Sequence, residues 1–243
     1  MRLRRMNPYQ KLLDRKRTWT PIQSTKGKLK EGSEDTIFRA LALRHMELPV
    51  GDFIQEACAK EIPEASRALL ESNVKDEIRH DLALGYITNA LGVDDKAEAE
   101  SFRLRQAWIE HPDHPVLKAM VAERAIFFVL LPFFRFNGDA GLRTVSADIS
   151  RDEQVHVAAN SLVCRELGLT VSPSLDRLRK ATINWVMSPL SGVSEDKYLN
   201  KQFWLDQSDS LMYSGKAEGL FETQRARMPA FFETSNSDLP SYA

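Results

Sequence analysis

Apolar residues recur every three or four positions along most of the chain, which is the spacing of one face of an α-helix. No stretch shows the alternation typical of a β-strand, so the sequence predicts an all-α fold. A short helix is expected over residues 8–17. The first long helix should begin near Ser33 and continue past Pro49, a residue able to kink or end it. Further helices are expected over residues 63–91, 98–110, 116–137, 139–167, 173–188 and 195–213.

Proline and glycine mark the ends of these predicted helices. Pro63 suits the first position of a helix, where its missing N–H needs no partner. Gly92, Gly138 and Gly168 each follow an apolar stripe and are expected to end the helix before them. Between residue 17 and Gly32 the sequence is rich in Lys, Thr, Ser and Gly, which predicts an irregular segment.

One carboxylate interrupts the apolar stripe of each of four long helices. On the first of them Glu47 keeps the rhythm of the apolar positions, whereas Asp52 lies on a second face and is the alternative. The next helices carry Glu77, Glu123 and Glu153 on their stripes. Apolar stripes face the core of a helical protein, so all four carboxylates are expected to point inward.

Two of these glutamates belong to a Glu-x-x-His motif. Glu77 and His80 are three residues apart, as are Glu153 and His156, so each pair projects from neighbouring turns of one helix face. Two such motifs, each joined by a glutamate from another helix, form the dimetal-carboxylate site of a four-helix bundle. The predicted metal ligands are Glu47, Glu77, His80, Glu123, Glu153 and His156.

Four carboxylates in an apolar core are stable only if cations neutralise them. Two divalent metal ions would do so, with one imidazole for each ion, at the separation of about 3.5–4 Å that is usual in dinuclear sites. The oxygen-rich ligand set suits iron and manganese. The competing interpretation is a metal-free structural helical protein, in which the glutamates are exposed and the Glu-x-x-His pairs are surface contacts.

Composition limits the class of protein. With 243 residues, 43% hydrophobic and 28% charged, the chain resembles a soluble globular protein with one large core. Cys58 and Cys164 show neither metal-ligand spacing nor a disulfide pattern, so an intracellular, cytoplasmic setting is expected. The longest apolar run, residues 125–134, contains Pro132 and is too short to span a bilayer.

The net charge of −1 conceals a basic segment. Residues 1–30 contain ten Lys and Arg residues and one acidic residue, Asp14. This segment lacks the apolar region of a signal peptide, and no basic patch elsewhere predicts binding to nucleic acid. The expected organisation is a basic, solvated or partner-facing arm over residues 1–32, a helical domain over residues 33–234, and a flexible tail over residues 235–243.

The motifs resemble those of one family, the small, radical-generating subunit of class I ribonucleotide reductase. Residues 150–156 are similar to that family's Arg-Asp-Glu-x-x-His signature, and residues 63–80 resemble its Pro-Glu helix that ends in Glu-x-x-His. Residues 122–126 match the region of its third-helix glutamate, and residues 11–21 resemble a Lys-Leu-Ile stretch followed by Trp-x-Pro. The likeness covers roughly residues 10–165, and the short chain is similar to compact versions carried by some phages.

The resemblance implies a ferritin-like four-helix bundle with extra helices, assembled as a homodimer. It implies a dimetal site that is activated by oxygen species and passes a one-electron oxidant to a large subunit, which reduces ribonucleotides. Trp19 stands where the family keeps a tryptophan for electron transfer, and Asp152 is the candidate carboxylate between it and a ligand histidine. Tyr242 is expected to carry the hole across to the large subunit, although the family usually places this tyrosine farther from the terminus.

Two positions depart from the family pattern. Leu84 stands where the family has its radical tyrosine, and Tyr86 is rotated by about 200° on the same helix. Glu47 stands where tyrosyl-radical members typically have Asp. Both features resemble the manganese/iron subclass, in which the metal pair stores the oxidising equivalent, although two irons or two manganese ions stay open. The alternative function is a stand-alone dimetal oxidase or oxygenase that acts on an organic substrate without a partner.

Overall fold

The computed structural model describes residues 7–213 and contains ten α-helices within that range. Short 3₁₀ turns lie at Leu43–Met46, Glu64–Ser66 and Lys197–Leu199, and a π-helical turn lies at Glu123–Phe127. The helices are α1 Pro8–Leu13, α2 Glu34–Ala42, α3 Glu47–Ala59, α4 Arg67–Leu91, α5 Asp95–Glu110, α6 Pro115–Ala122, α7 Phe128–Asn137, α8 Ala140–Glu166, α9 Pro173–Met187 and α10 Lys201–Tyr213.

A four-helix bundle forms the centre of the described residues, and it confirms the predicted all-α fold. Helix α3 packs against α4 and α6, and α8 packs against α4, α6 and α7, so the four elements close into a ring. Helices α4 and α8 are the longest, with 25 and 27 residues. The remaining helices pack outside this ring, with α2 and α5 against each other and α9 and α10 against each other.

The described part of the predicted basic arm, from residue 7, contacts the bundle at two places. Helix α1 lies against α4 and α8, and Tyr9 and Leu12 are buried in the common core. The N-cap of α8 holds the arm at a second place, because the Asp139 carboxylate accepts hydrogen bonds from the backbone N–H groups of Leu142 and Gly27. These contacts bring residues 9–27 alongside the two longest helices.

The first predicted long helix is wrong in its continuity. A 3₁₀ turn separates α2 from α3, and α3 begins anew at Glu47. Pro49 consequently lies in the first turn of α3, where a backbone N–H has no intrahelical partner and a proline is tolerated. The second long helix also begins later than predicted, since Pro63 precedes a 3₁₀ turn and α4 starts at Arg67.

The third helix of the bundle is continuous but not uniformly α-helical. Helix α6 passes into the π-helical turn and then into α7. Pro132 lies inside α7, where it cannot donate to the carbonyl of Phe128. The predicted glycine ends are confirmed: Gly138 follows α7, while Gly92 and Gly168 follow α4 and α8 with φ of 101° and 65°, values that favour glycine.

Two further expectations concern the membrane and the tail. Among residues 7–213, no helix has both the length and the hydrophobicity required to cross a membrane. The predicted tail over residues 235–243, with Tyr242, lies outside the described residues, as does the end of the predicted domain beyond Tyr213.

Candidate metal centre

Each wall of the bundle brings one glutamate to the centre. Glu47 is the first residue of α3, Glu77 lies in the middle of α4, Glu123 is the first residue of the π-helical turn, and Glu153 lies in the middle of α8. All four are buried, at 3% exposure or less. Asp52, the alternative to Glu47, is exposed on the outside of α3 and takes no part in this cluster.

His80 faces these carboxylates with its Nδ1 atom. The ring is fully buried, and Nδ1 lies 3.3 Å from Oε1 of Glu153 and 3.5 Å from Oε2 of Glu77. The Oε2 atom of Glu47 lies 3.6 Å from the same nitrogen. One nitrogen and three carboxylates therefore surround a single point.

His156 faces the cluster in the same way. Its Nδ1 atom lies 3.0 Å from Oε1 of Glu77 and 3.7 Å from Oε1 of both Glu123 and Glu153. The two imidazole rings are stacked with their centroids 5.6 Å apart. Glu77 directs one oxygen towards each histidine, so its carboxylate would contribute to both metal positions.

The donor atoms of this cluster fit metal ions. They form two groups, within each of which the donor atoms lie no more than 4.8 Å apart: Glu47, Glu77, His80 and Glu153, and Glu77, Glu123 and His156. Both oxygens of Glu77 and Glu153 and the Nδ1 atoms of both histidines are buried without a hydrogen-bond partner among the described residues. Four buried carboxylates balance two divalent cations, so this cluster can hold metal and is consistent with a dimetal site.

Burial and mutual contact shift the ionisation of the cluster. Burial raises the pKa of Glu47, Glu123 and Glu153 above the usual value for a glutamate. Burial would also raise the pKa of Glu77, but the two neighbouring imidazoles outweigh it and lower that pKa. Burial lowers the pKa of a histidine, yet the surrounding carboxylates raise the pKa of both His80 and His156 well above normal. Without metal, the cluster therefore retains protons.

Each histidine uses its other nitrogen to hold an outer carboxylate. Nε2 of His80 lies 3.2 Å from Oδ2 of Asp152, and Nε2 of His156 lies 3.0 Å from Oδ2 of Asp76. A carboxylate accepts the hydrogen bond, so Nε2 keeps its proton when the ring is neutral, and the lone pair of Nδ1 is then the one that points at the cluster. The pairing is crossed between the two longest helices. Asp152 on α8 holds His80 on α4, and Asp76 on α4 holds His156 on α8.

The Asp152 carboxylate continues to a third residue. Trp19 Nε1 donates a hydrogen bond of 2.7 Å to Oδ2 of Asp152, and the Trp19 ring stacks on His80 with centroids 6.2 Å apart. The structure thus brings together the predicted pair of Trp19 and Asp152 and connects it to a histidine of the cluster. Trp19 is half-buried, so this connection leads from the cluster towards the surface.

The Asp76 carboxylate was missed in the sequence interpretation. The Asp76 carboxylate forms an ion pair with Lys16 and lies 3.0 Å from the Arg79 guanidinium. Burial would raise the pKa of Asp76, but His156 and Lys16 lower it to about 2. The available signal was a longer repeat, since Asp-Glu-x-x-His occurs at 76–80 and again at 152–156.

Two polar groups complete the surroundings of the cluster. The Asn160 side-chain amide donates a hydrogen bond of 2.6 Å to Oε2 of Glu123, a role that sequence reasoning also missed. Arg79 lies 3.6 Å from Oδ2 of Asp152, and its guanidinium carbon lies 5.6 Å from the centre of the Trp19 ring. The outer carboxylates are therefore balanced by two cations, Lys16 and Arg79.

Leu84 and Tyr86, at which the sequence departs from the family pattern, both lie on α4. Leu84 is buried with 4% exposure, and Phe127 in the π-helical turn has the same exposure. Tyr86 is half-buried on α4. An aliphatic side chain therefore occupies the position at which the resemblance would have a tyrosine.

A comparison with solved structures supports the helical fold, whereas comparisons with family models and curated proteins find no match. A solved structure from Bacillus halodurans, provisionally described as a class I ribonucleotide reductase, superimposes with a TM-score of 0.55 at 14% sequence identity. The match covers 90% of this chain and 97% of that one. At this identity the match establishes the fold, so the chain is a ferritin-like helical bundle that carries a buried glutamate and histidine cluster able to hold metal.

Proposed function

We propose that the chain is the small, radical-generating subunit of a class I ribonucleotide reductase. The observation that carries the proposal is the connection from His80 through Asp152 to Trp19, with a 3.2 Å contact followed by a 2.7 Å hydrogen bond. An oxidant generated inside a bundle reaches another protein only through groups that lead outward. A stand-alone oxidase, which brings its substrate to the metal, has no use for such a path.

The proposed ligands are Glu47, Glu77, His80, Glu123, Glu153 and His156, and Glu77 would contribute to both metal positions. Two bound ions would supply a one-electron oxidant after reaction with an oxygen species. The protein holds each imidazole by a carboxylate at Nε2, and it holds Glu123 by the amide of Asn160. The surrounding apolar residues exclude water from the carboxylates.

Trp19 is the proposed station beyond the cluster. Its ring can lose an electron, and its Nε1–H group is already hydrogen-bonded to Asp152. Arg79 lies against both partners and fixes the ring in contact with the bundle. The path therefore consists of groups held in place before the reaction begins.

A manganese and iron pair is the proposed cofactor. Leu84 cannot be oxidised, so bound metal ions rather than a tyrosine at this position would hold the oxidising equivalent, and no stable tyrosyl radical is expected. Iron alone or manganese alone are the other outcomes of metal loading. Tyr86→Phe is the control, because a narrow tyrosyl signal that vanishes in this variant would assign the store to Tyr86.

The proposal extends to the assembly of the chain with a second copy and with the large subunit. We propose that the chain forms a homodimer and that residues 235–243 dock on the large subunit in the cytoplasm. Tyr242 then carries the hole across the interface. Tyr242→Phe is expected to bind the large subunit normally and to abolish turnover.

The deciding experiment is anaerobic loading with Mn²⁺ and Fe²⁺ in each combination, followed by oxygen and an assay with a large subunit. Trp19→Phe is expected to keep two ions per chain and lose more than about 90% of turnover. Trp185→Phe is the matched control, since Trp185 lies on α9 and donates to Glu100. Oxygen-dependent consumption of an organic substrate, with no turnover by any large subunit, would establish the stand-alone oxidase instead.

A further inference from the structure

The two outer carboxylates continue to different residues. Asp152, which holds His80, accepts from the Trp19 indole. Asp76, which holds His156, pairs with the Lys16 ammonium group. The two halves of the cluster are therefore alike up to the outer carboxylate and differ beyond it.

We propose that Lys16 is a positioning residue for the metal position at His156, and that it acts through Asp76. The proposal rests on the metal centre assigned above, but it does not depend on radical transfer or on a large subunit. Lys16, a residue of the basic segment, would thus strengthen metal binding at the His156 position and not at the His80 position.

The contacts of Lys16 fix both its own position and that of Asp76. Its ammonium group donates to Asn73 Oδ1 at 2.9 Å as well as pairing with Asp76, and its side chain is 11% exposed. The Oδ2 atom of Asp76 therefore lies between Lys16 and the ring of His156. Arg79 holds the other oxygen at 3.0 Å.

Removal of Lys16 leaves Oδ2 of Asp76 with His156 as its remaining strong partner. Asp76 can then turn towards Arg79, and the imidazole loses the acceptor that directs Nδ1 to the cluster. Loss of an outer partner of a ligand histidine typically costs about 10–100-fold in metal affinity. His80 is held by Asp152, which is hydrogen-bonded to Trp19 where Asp76 is paired with Lys16, so the metal position at His80 should be affected much less.

The same coupling acts in the opposite direction. If docked Lys16 strengthens metal binding, bound metal must strengthen the docking of Lys16 by the same factor. Arg15 and Arg17, on either side, are exposed and are sites for trypsin. Metal loading is therefore expected to slow cleavage at these two residues.

The test measures Mn²⁺ affinity from the electron paramagnetic resonance signal of the free ion, in two single-site backgrounds. In His80→Ala, which retains the His156 position, Lys16→Met is expected to weaken binding by about 10–100-fold. In His156→Ala, which retains the His80 position, the same change should weaken it by less than about threefold. Lys16→Arg, which restores a cation, should recover most of the affinity.

The control is Lys30→Met, because Lys30 pairs with Asp196 away from the cluster. Equal weakening in both backgrounds, or none in either, overturns the assignment of Lys16. A wild-type chain that binds no Mn²⁺ overturns this proposal together with the proposed metal centre. If the chain binds two ions and responds to Lys16→Met as stated, but shows no turnover with any large subunit, the proposed function fails while the role of Lys16 stands.

Discussion

Single residues at the centre of this bundle are in an environment that charges normally avoid. Glu77 and Glu153 have no hydrogen-bond partner for either carboxylate oxygen among the described residues. Hydrogen bonds to the outer shell are instead made by the histidines, whose Nε2 atoms are occupied by Asp76 and Asp152. The inner donors are thereby left free for cations, while the outer ones hold the rings in place.

Loss of either histidine is expected to remove one metal position. His80→Ala and His156→Ala should each lower the metal content from two ions towards one ion per chain, because each ring supplies the nitrogen donor of one group. Metal analysis after loading and gel filtration measures this. His45→Ala is the control, since His45 pairs with Glu98 on the surface of the bundle. Two ions retained in both cluster variants would contradict the ligand assignment.

Metal affinity is expected to rise with pH. The pKa of Glu47, Glu123 and Glu153 is raised by burial, and that of His80 and His156 is raised by the carboxylates around them. A raised pKa means that a group keeps its proton to a higher pH than a free side chain does, and His80 and His156, whose pKa lies well above the usual 6.5, hold theirs near neutral pH. Metal must displace these protons, so a lower proton concentration favours binding. Calorimetric Mn²⁺ titrations between pH 6 and 8 in two buffers measure the affinity and the protons released. Affinity that does not change with pH would contradict this account.

At the scale of helices, the π-helical turn that carries Glu123 is held from outside the bundle. Ser208 on α10 donates a hydrogen bond of 2.6 Å to the carbonyl of Ala125 in this turn, and Arg179 on α9 donates one of 2.7 Å to Ser208. A π-helical turn departs from the regular α-helical ladder and is often found at functional sites. Helices α9 and α10 therefore support the geometry of a proposed ligand.

Ser208→Ala is expected to destabilise the fold by about 1–3 kcal/mol, because the buried carbonyl of Ala125 and an N–H group of Arg179 both lose a partner. The free energy of unfolding in urea measures this effect. Ser210→Ala is the matched control, since Ser210 is exposed on the same helix and its removal should cost less than about 0.5 kcal/mol. Equal stability of the two variants would show that α10 does not support the turn.

At the scale of the whole molecule, the bundle has a charged centre inside an apolar core. Helices α3, α4 and α8 and the segment from α6 to α7 each contribute one carboxylate. Without metal, burial disfavours the charged form of these carboxylates and raises the pKa of Glu47, Glu123 and Glu153. Metal ions that bind only the folded chain are therefore expected to stabilise the entire bundle.

Saturation with Mn²⁺ should raise the melting temperature relative to a sample in chelator. At a free concentration 100-fold above its dissociation constant, one bound ion contributes about 2.7 kcal/mol. For a chain of this length, each kcal/mol shifts the melting temperature by about 2–4 °C, so a rise of roughly 5–10 °C is expected for each position. Differential scanning calorimetry measures it. An unchanged melting temperature, or an equal rise in a His80→Ala, His156→Ala double variant, would contradict specific binding at this cluster.

The sequence by itself determined the features that depend on local helical geometry. A helix has 3.6 residues per turn, so one carboxylate on each apolar stripe and two Glu-x-x-His motifs indicated Glu77, His80, Glu123, Glu153 and His156 as one cluster. On the first long helix the sequence left Asp52 open as the alternative to Glu47, and the structure placed Asp52 on the exposed face. The ends of α4 and α8 were also predictable from the sequence, because Gly92 and Gly168 adopt backbone angles that other residues avoid. The break between α2 and α3 before Glu47 and the π-helical turn at Glu123 could not be predicted, since neither interrupts the spacing of the apolar residues.

The family resemblance predicted Trp19 beside Asp152, but only the tertiary structure decided which histidine Asp152 holds and what Asp76 contacts. Trp19 and Asp152 are 133 residues apart, and His156 and Asp76 are 80 residues apart, so no periodicity connects them. Their contacts depend on how α4, α8 and the basic segment pack against one another. The crossed pairing of each aspartate with the histidine of the opposite helix, and the place of Lys16 beyond Asp76, follow from that packing because side chains on facing helices meet only once the distance and rotation between the helices are set.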